Sequence, residues 1–124
     1  MDDLGVLSPR LTSVHGIWLT DGDIALLADN GWSGVHNPLS NMKLGSGVCP
    51  VRRLLDAGIN VALGTDGLAT SDTADLIEAI RAASLIHKTG THDYGAWVSA
   101  LEVFRMATIG GARSGLKDAD VGSL

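Results

Sequence analysis

The chain has 124 residues, the size of one domain, and its 45% hydrophobic and 19% charged residues support a buried core. The net charge of −5 and the lack of a basic run argue against nucleic acid and anionic membrane surfaces as partners. No apolar run approaches the roughly 18 residues of a membrane span, and Met1–Asp3 lacks the basic start of a signal peptide. The single cysteine, Cys49, excludes an internal disulfide and is interpreted as a passive small residue, so a cytoplasmic protein is expected.

Short apolar or β-branched runs alternate with helical segments along the chain. The predicted strands are Leu11–His15, Trp32–His36 and Asn60–Gly64. The helix expected after the first strand is Asp21–Asp29, with Thr20 as N-cap, Asp23 as capping-box partner and Asn30-Gly31 as its end. The helix expected before the third strand is Pro50–Ala57, closed by Gly58. This alternation is typical of βα units that build a parallel sheet.

The remaining segments are predicted as loops and helices. Polar loops are expected at His36–Asn41, Thr65–Gly67 and Gly90–Gly95. A helix is predicted over Asp72–His87, where Leu76, Ile77, Ile80, Ala83, Ser84 and His87 share one face. The i, i+4, i+7 spacing of Trp97, Leu101 and Phe104 predicts another amphipathic helix, and Ala107–Leu116 is predicted as a short final helix.

Each of the three predicted strands ends in, or is soon followed by, a polar residue that can carry chemistry. These residues are His15, His36 and Asp66. Parallel α/β sheets bind ligands at the carboxyl ends of their strands, so we expect these side chains to converge there. Histidine and carboxylate together suit a metal site or a general acid–base pair. A single histidine at a strand end is more often structural, and Asp66 in Gly-Thr-Asp-Gly also fits a simple turn. From these residues alone both interpretations stay open.

Three blocks carry a resemblance to a known family: Val14–Thr20 (VHGIWLT), His36–Gly47 (HNPLSNMKLGSG) and Leu63–Gly67 (LGTDG). In order and spacing they resemble the amidohydrolase superfamily, in the branch that holds chlorohydrolases and the deaminases of cytosine, guanine, S-adenosylhomocysteine and methylthioadenosine. The resemblance implies an α/β fold, a partial (β/α)8 barrel. Residues 1–124 would be the C-terminal portion of one barrel domain, with the last three βα units (strands six to eight) and C-terminal helices.

The resemblance also implies roles for individual residues. His15 and Asp66 would be catalytic and would ligate a divalent metal, for which zinc is favoured over iron or manganese. Asp66 would shuttle a proton, and His15 would lie beside the attacking water. The residues His36, Asn37 and Trp18 would contribute to binding a small-molecule substrate. The reaction implied is hydrolysis of a C–N bond other than a peptide bond, with deamination of a nucleobase-like or other heteroaromatic ring.

The sequence departs from the family pattern in ways that define the alternatives. The His-x-His pair of the first barrel strand and the histidine of the fifth do not occur, so the chain is expected to be an inactive fragment of an active parent. The Thr70–Asp72 loop is expected to border the substrate, and a homo-oligomer stays open. The alternatives are a dechlorinating halohydrolase and a non-catalytic half-barrel module or degenerate relative. A dinucleotide-binding loop at Gly45–Gly47 is disfavoured, because the third glycine of that fingerprint is missing.

Overall fold

Three short parallel strands form one sheet in the computed structural model, which describes residues 4–123. The strands are β1 (Thr12–Val14), β2 (Ser33–His36) and β3 (Asn60–Leu63), and β2 lies between the other two. Thr12 is paired with Ser33, and Ser33 is paired with Asn60. The predicted α/β class with a parallel sheet is confirmed, and each predicted strand is one or two residues longer than the observed one.

Helices follow and cover the strands. Their bounds are α1 (Asp21–Asp29), α2 (Pro38–Lys43), α3 (Val51–Asp56), α4 (Leu68–Ser71), α5 (Leu76–Ile86), α6 (Ala100–Arg105) and α7 (Gly111–Ser114), with a 3-10 turn at Tyr94–Ala96 and a π-helical segment at Met106–Gly110. The first helix has the predicted bounds because its capping box forms as expected. The Thr20 hydroxyl accepts from the Asp23 amide at 3.2 Å, and the Asp23 carboxylate accepts from the Thr20 amide at 2.9 Å.

The loop predicted at His36–Asn41 is wrong, because Pro38–Lys43 forms helix α2. Pro38 occupies the start of the helix, where an amide hydrogen would have no helical partner, so proline is tolerated there. A helix of six residues is too short to show a clear helical period in the sequence. The consequence is that α2 begins directly after β2, at the carboxyl edge of the sheet.

The helix predicted over Asp72–His87 begins later than expected. Its N-cap is Asp75, whose side chain accepts from the Ile77 amide at 2.8 Å. Asp72 instead has a left-handed backbone (φ 63°) and ends α4, so the predicted Thr70–Asp72 loop is largely the end of a short helix. Of the predicted apolar face, Ala83 is buried whereas Ile77 is exposed.

The last helix is one nearly continuous rod, α6, π-helical segment and α7, rather than two separate helices. It begins at Ala100, after the Ser99 N-cap, and not at Trp97 as the apolar spacing suggested. Val103 and Met106 supply its buried side, while Leu101 and Phe104 are exposed. The π-helical segment brings Gly110 against β3 so closely that a Cβ there would lie 2.6 Å from the Val61 carbonyl oxygen.

The core lies between the sheet and the helices. Its fully or nearly fully buried apolar side chains are Val51, Leu54, Ala79, Ala83, Val98, Val103 and Met106. Strand β1 is an edge strand, and its Val14 side chain is 54% exposed. Parallel strands in α/β folds are ordinarily covered on both faces. The face and edge of β1 are therefore less covered than is usual for a parallel strand.

Over residues 4–123 no helix combines the length and apolar character needed to cross a membrane. The signal-peptide interpretation of Met1–Asp3 falls on residues outside that range.

Candidate active site

His15 lies directly after β1, at the carboxyl edge of the sheet. Its amide donates to the Val35 carbonyl at 2.9 Å, which continues the β1–β2 pairing by one residue. Its backbone then turns into the left-handed region (φ 71°), followed by Gly16 with φ 53°. A left-handed backbone is unfavourable for a residue other than glycine and is concentrated at functional sites. This turn directs the imidazole across the edge of the sheet instead of along the strand.

Asp66 lies three residues after the end of β3 and also has a left-handed backbone (φ 62°). Its Oδ2 accepts from the Ser40 hydroxyl at 2.6 Å, and its Oδ1 accepts from the Gly67 amide at 2.8 Å. The Ser40 hydrogen bond, followed by that of the Gly67 amide, holds the pKa of Asp66 below its ordinary value. Asp66 is therefore a carboxylate, and not a carboxylic acid, at neutral pH.

The structure brings His15 and Asp66 together. The distance from His15 Nε2 to Asp66 Oδ2 is 3.7 Å, and both side chains are about one-third exposed. His15 follows β1 and Asp66 follows β3, the two edge strands of the three-stranded sheet, so the two side chains meet across the carboxyl end of β2. A single small ion or water molecule can contact both groups at this separation.

Helix α2 supplies two contacts to this pair that the sequence prediction did not assign. Ser40 hydrogen-bonds Asp66, and the Oδ1 atom of Asn41 lies 2.8 Å from His15 Nδ1. Both side chains are buried, Ser40 at 0% and Asn41 at 2% exposure. The signal was present as adjacent polar residues in the HNPLSN block, but the loop prediction gave no reason for them to point at the strand ends.

His36 is the last residue of β2 and is buried, unlike His15 and Asp66. It is 1% exposed, and neither ring nitrogen has a hydrogen-bond partner among the residues that the structure describes. The His87 ring from α5 lies 5.2 Å away, centroid to centroid, at an interplanar angle of 49°. Burial, with repulsion from His87 and His15, lowers the pKa of His36 to about 3. Burial also lowers the pKa of His87, so both imidazoles are neutral at neutral pH.

The other predicted substrate-binding residues lie in contrasting environments. Asn37 is buried, and its side chain fills the space above Gly64, where a Cβ would lie 2.4 Å from Asn37 Oδ1. Trp18 is 85% exposed, and its indole edge lies over Gly47. Trp18 is thus accessible to a ligand, whereas His36 and Asn37 form the support under the site. The substrate-binding roles themselves stay predictions.

Two further contacts define the immediate surroundings. Lys43 at the end of α2 forms an ion pair with Asp72 and donates to the Ala69 carbonyl at 3.2 Å, which links α2 to α4 beside the site. Cys49 is buried, and burial raises the pKa of its thiol to about 12. A thiol that stays protonated is a poor nucleophile, in agreement with the passive interpretation.

The side chains of His15 and Asp66 are compatible with a divalent metal in separation and in donor type. Two atoms that each lie about 2.1 Å from one ion can be up to about 4.2 Å apart, so the 3.7 Å between His15 Nε2 and Asp66 Oδ2 is compatible with a shared ion. Imidazole nitrogen and carboxylate oxygen are also the donor types that zinc accepts. Within residues 4–123 no group of three or more histidine, cysteine or acidic side chains is arranged to hold a metal. Among the described residues, His15 and Asp66 are thus a pair of candidate donors.

The histidine and the carboxylate converge at the carboxyl edge of the parallel sheet, which is where α/β folds place their ligand sites. The chain belongs to the amidohydrolase family, whose model matches residues 1–124. This result confirms the family predicted from the three sequence blocks.

The chain is similar to deaminases and to a chlorohydrolase. The chain is 45% identical to a 5'-deoxyadenosine deaminase of Methanosarcina mazei over 114 residues, which cover 92% of this chain and 26% of that protein. Among solved structures, an adenosine deaminase from Xanthomonas campestris with bound zinc has a TM-score of 0.92 and 40% identity, covering 98% of this chain and 28% of that one. A zinc complex of atrazine chlorohydrolase from Arthrobacter aurescens has a TM-score of 0.92 and 34% identity, covering 98% and 27%. The chain thus spans about a quarter of the length of these relatives.

Proposed function

We propose that the full-length protein is a metal-dependent hydrolase that deaminates a nucleoside-like or nucleobase-like heteroaromatic substrate. The observation that carries the proposal is the 3.7 Å approach of His15 to Asp66 at the carboxyl edge of the sheet, in a chain of the amidohydrolase family. Water would add to the ring carbon that bears the amino group. The carbon–nitrogen bond would then break, leaving a ring carbonyl and releasing ammonia.

The proposal assigns the described residues to steps of this reaction. A divalent metal, with zinc favoured, would bind at His15 and Asp66 and would supply the Lewis acidity that makes water nucleophilic near neutral pH. Asp66 is ionised and can take a proton from water and pass it to the departing amine. His15 presents an imidazole to the same space and can orient the water or the substrate. The indole of Trp18 is exposed and can stack against a planar ring.

The proposal also places the three strands in the whole protein. β1, β2 and β3 would be strands six to eight of an eight-stranded barrel, with residues 1–124 as the C-terminal portion of that domain. The free face of β1 and its exposed Val14 support this placement, since a closed barrel would cover them. The cytoplasmic location and a homo-oligomeric state stay predictions.

Dechlorination is a second candidate, favoured by the similarity to atrazine chlorohydrolase. The same site would add water to a ring carbon that bears chlorine and would release chloride. The two reactions share the water-activating residues and differ in the leaving group. A panel of adenosine, 5'-deoxyadenosine, S-adenosylhomocysteine, guanine and atrazine, assayed for ammonia and for chloride, separates them.

The roles are tested by Asp66→Asn in the full-length protein. The amide keeps the size of the side chain but cannot accept the proton from water, so we expect kcat to fall at least about 100-fold. The matched control is Asp29→Asn at the exposed end of α1, which should keep wild-type kcat. An Asp66→Asn protein with full activity would show that Asp66 is a turn residue and that the assignment is wrong.

A further inference from the structure

The Asn41 side chain makes a specific contact with the outer ring nitrogen of His15. Its Oδ1 atom lies 2.8 Å from His15 Nδ1, which is hydrogen-bond distance, and Asn41 itself is 2% exposed. Its Nδ2 atom is buried and has no partner in the described part of the chain. The contact with His15 is therefore the one hydrogen bond that the described residues give to the side-chain amide of Asn41.

The direction of this hydrogen bond follows from the chemistry of the two groups. An amide oxygen only accepts, so with Asn41 Oδ1 facing the ring, His15 Nδ1 carries the hydrogen and donates it. In a neutral imidazole the other nitrogen, Nε2, then carries a free lone pair. Nε2 faces Asp66 Oδ2 at 3.7 Å, which is too long for a direct hydrogen bond, so the contact with Asp66 does not require a proton on Nε2.

We propose that Asn41 is a positioning residue that holds His15 in the tautomer protonated on Nδ1, with the Nε2 lone pair directed into the space beside Asp66. The inference deepens the proposed function and rests on it for its catalytic meaning. Nε2 and the Asp66 carboxylate are then both electron-pair donors facing one gap. Such a gap favours a cation or the hydrogens of a water molecule. A ligating histidine commonly donates its second ring N–H to an outer partner in this way.

The position of Asn41 in the fold supports this role. Ser40, the preceding residue, donates to Asp66 at 2.6 Å, so two consecutive residues of α2 hold side chains that come from the ends of β1 and β3. Pro38 and the pairing of β2 fix the start of α2 between these two strands. The short helix thus sets both the distance and the ring orientation of the His15–Asp66 pair.

The first test is the tautomer of His15 in the wild-type full-length protein. The protein is labelled with ¹⁵N-histidine, freed of metal with a chelator and examined by NMR at pH 8, with His15→Gln used to assign the His15 signals. The proposal expects the hydrogen on Nδ1 and an unprotonated Nε2. The opposite tautomer would overturn it, and this measurement requires neither a variant nor any activity.

The second test compares two substitutions of Asn41. Asn41→Asp keeps an oxygen at the same place and should preserve the tautomer. Asn41→Leu has similar size but no acceptor, so both tautomers should appear, and kcat or zinc affinity should fall about 10- to 100-fold. An unchanged His15 tautomer in Asn41→Leu would overturn the proposal.

A control separates positioning from general damage to the fold. Asn60 lies at the opposite end of β3 and donates to Ser33, Gly110 and Ser114 at 3.1–3.2 Å. Asn60→Leu removes these polar contacts but should leave the His15 tautomer unchanged. A change of the tautomer in this variant would attribute the Asn41→Leu effect to the fold and overturn the proposal. A wild-type protein that has the expected tautomer but releases neither ammonia nor chloride would refute the proposed function while leaving the role of Asn41 intact.

Discussion

Acid should destabilise the folded protein through His36. The pKa of this buried imidazole is about 3 in the folded state, against 6.5 for an ordinary histidine. As the pH falls through 6.5, the unfolded chain takes up a proton at His36 that the folded chain does not. Stability is therefore complete above pH 6.5 and is lost progressively as the pH falls towards 3.

The magnitude follows from the two pKa values. Between pH 7.0 and 5.5 the protonated fraction of an ordinary histidine rises from about 24% to about 91%, whereas folded His36 stays neutral. The resulting loss in the free energy of unfolding is about 1.3 kcal/mol for this one group. Among residues 4–123, the ionisable side chains around His36 are His87 of α5, His15 after β1 and Cys49 before α3. All three remain in the variant described next.

The perturbation is His36→Gln, which removes the titrating ring. Equilibrium urea unfolding of the metal-free full-length protein is measured at pH 7.0 and 5.5 by tryptophan fluorescence, to which the buried Trp32 contributes. The stability lost between these pH values should be about 1.3 kcal/mol smaller in His36→Gln than in the wild type. His92→Gln, which removes an exposed histidine, is the matched control and should keep the wild-type difference. Equal losses in the wild type and His36→Gln would refute the argument that burial keeps this imidazole neutral.

Two further predictions concern the site. Ser40→Ala removes the main hydrogen bond that lowers the pKa of Asp66. This pKa should therefore rise towards its ordinary value in the metal-free protein, as measured by carboxyl ¹³C NMR. An unchanged pKa of Asp66 would show that the hydrogen bond from the Gly67 amide is sufficient to lower it. A chain limited to residues 1–124 should lose zinc on dialysis, because His15 and Asp66 supply two donors where catalytic zinc sites use three protein ligands. Zinc is measured by atomic absorption, and one equivalent retained per chain would contradict this expectation.

Much of the architecture could be predicted from local sequence signals. The bounds of α1 followed from the Thr20–Asp23 capping box and from Asn30-Gly31, where Gly31 has a left-handed backbone. Both signals act within a few residues of chain. The three strands followed from short apolar runs, and their parallel order followed from the helices between them. The convergence of His15 and Asp66 at one edge is then a geometric consequence of parallel strands.

The helix faces were less accessible from sequence. Leu101 and Phe104 have helical spacing but are exposed, whereas Val103 and Met106 are buried. Which side of a helix packs depends on the strands and helices beneath it, and the π-helical segment at Met106–Gly110 shifts the face by part of a turn. Apolar spacing predicts that a helix exists but does not choose its contacts when several apolar stripes are available.

The sequence by itself determined the α/β class, the family and the pair His15 and Asp66, because these depend on local patterns and on the polarity of parallel strands. The tertiary structure alone decided that Ser40 and Asn41 hold this pair and that His36 lies buried against His87. Those contacts join residues 26 or more positions apart in the chain. Side chains at such separations meet only when helices and strands have packed, and no local preference encodes the direction in which α2 leaves β2.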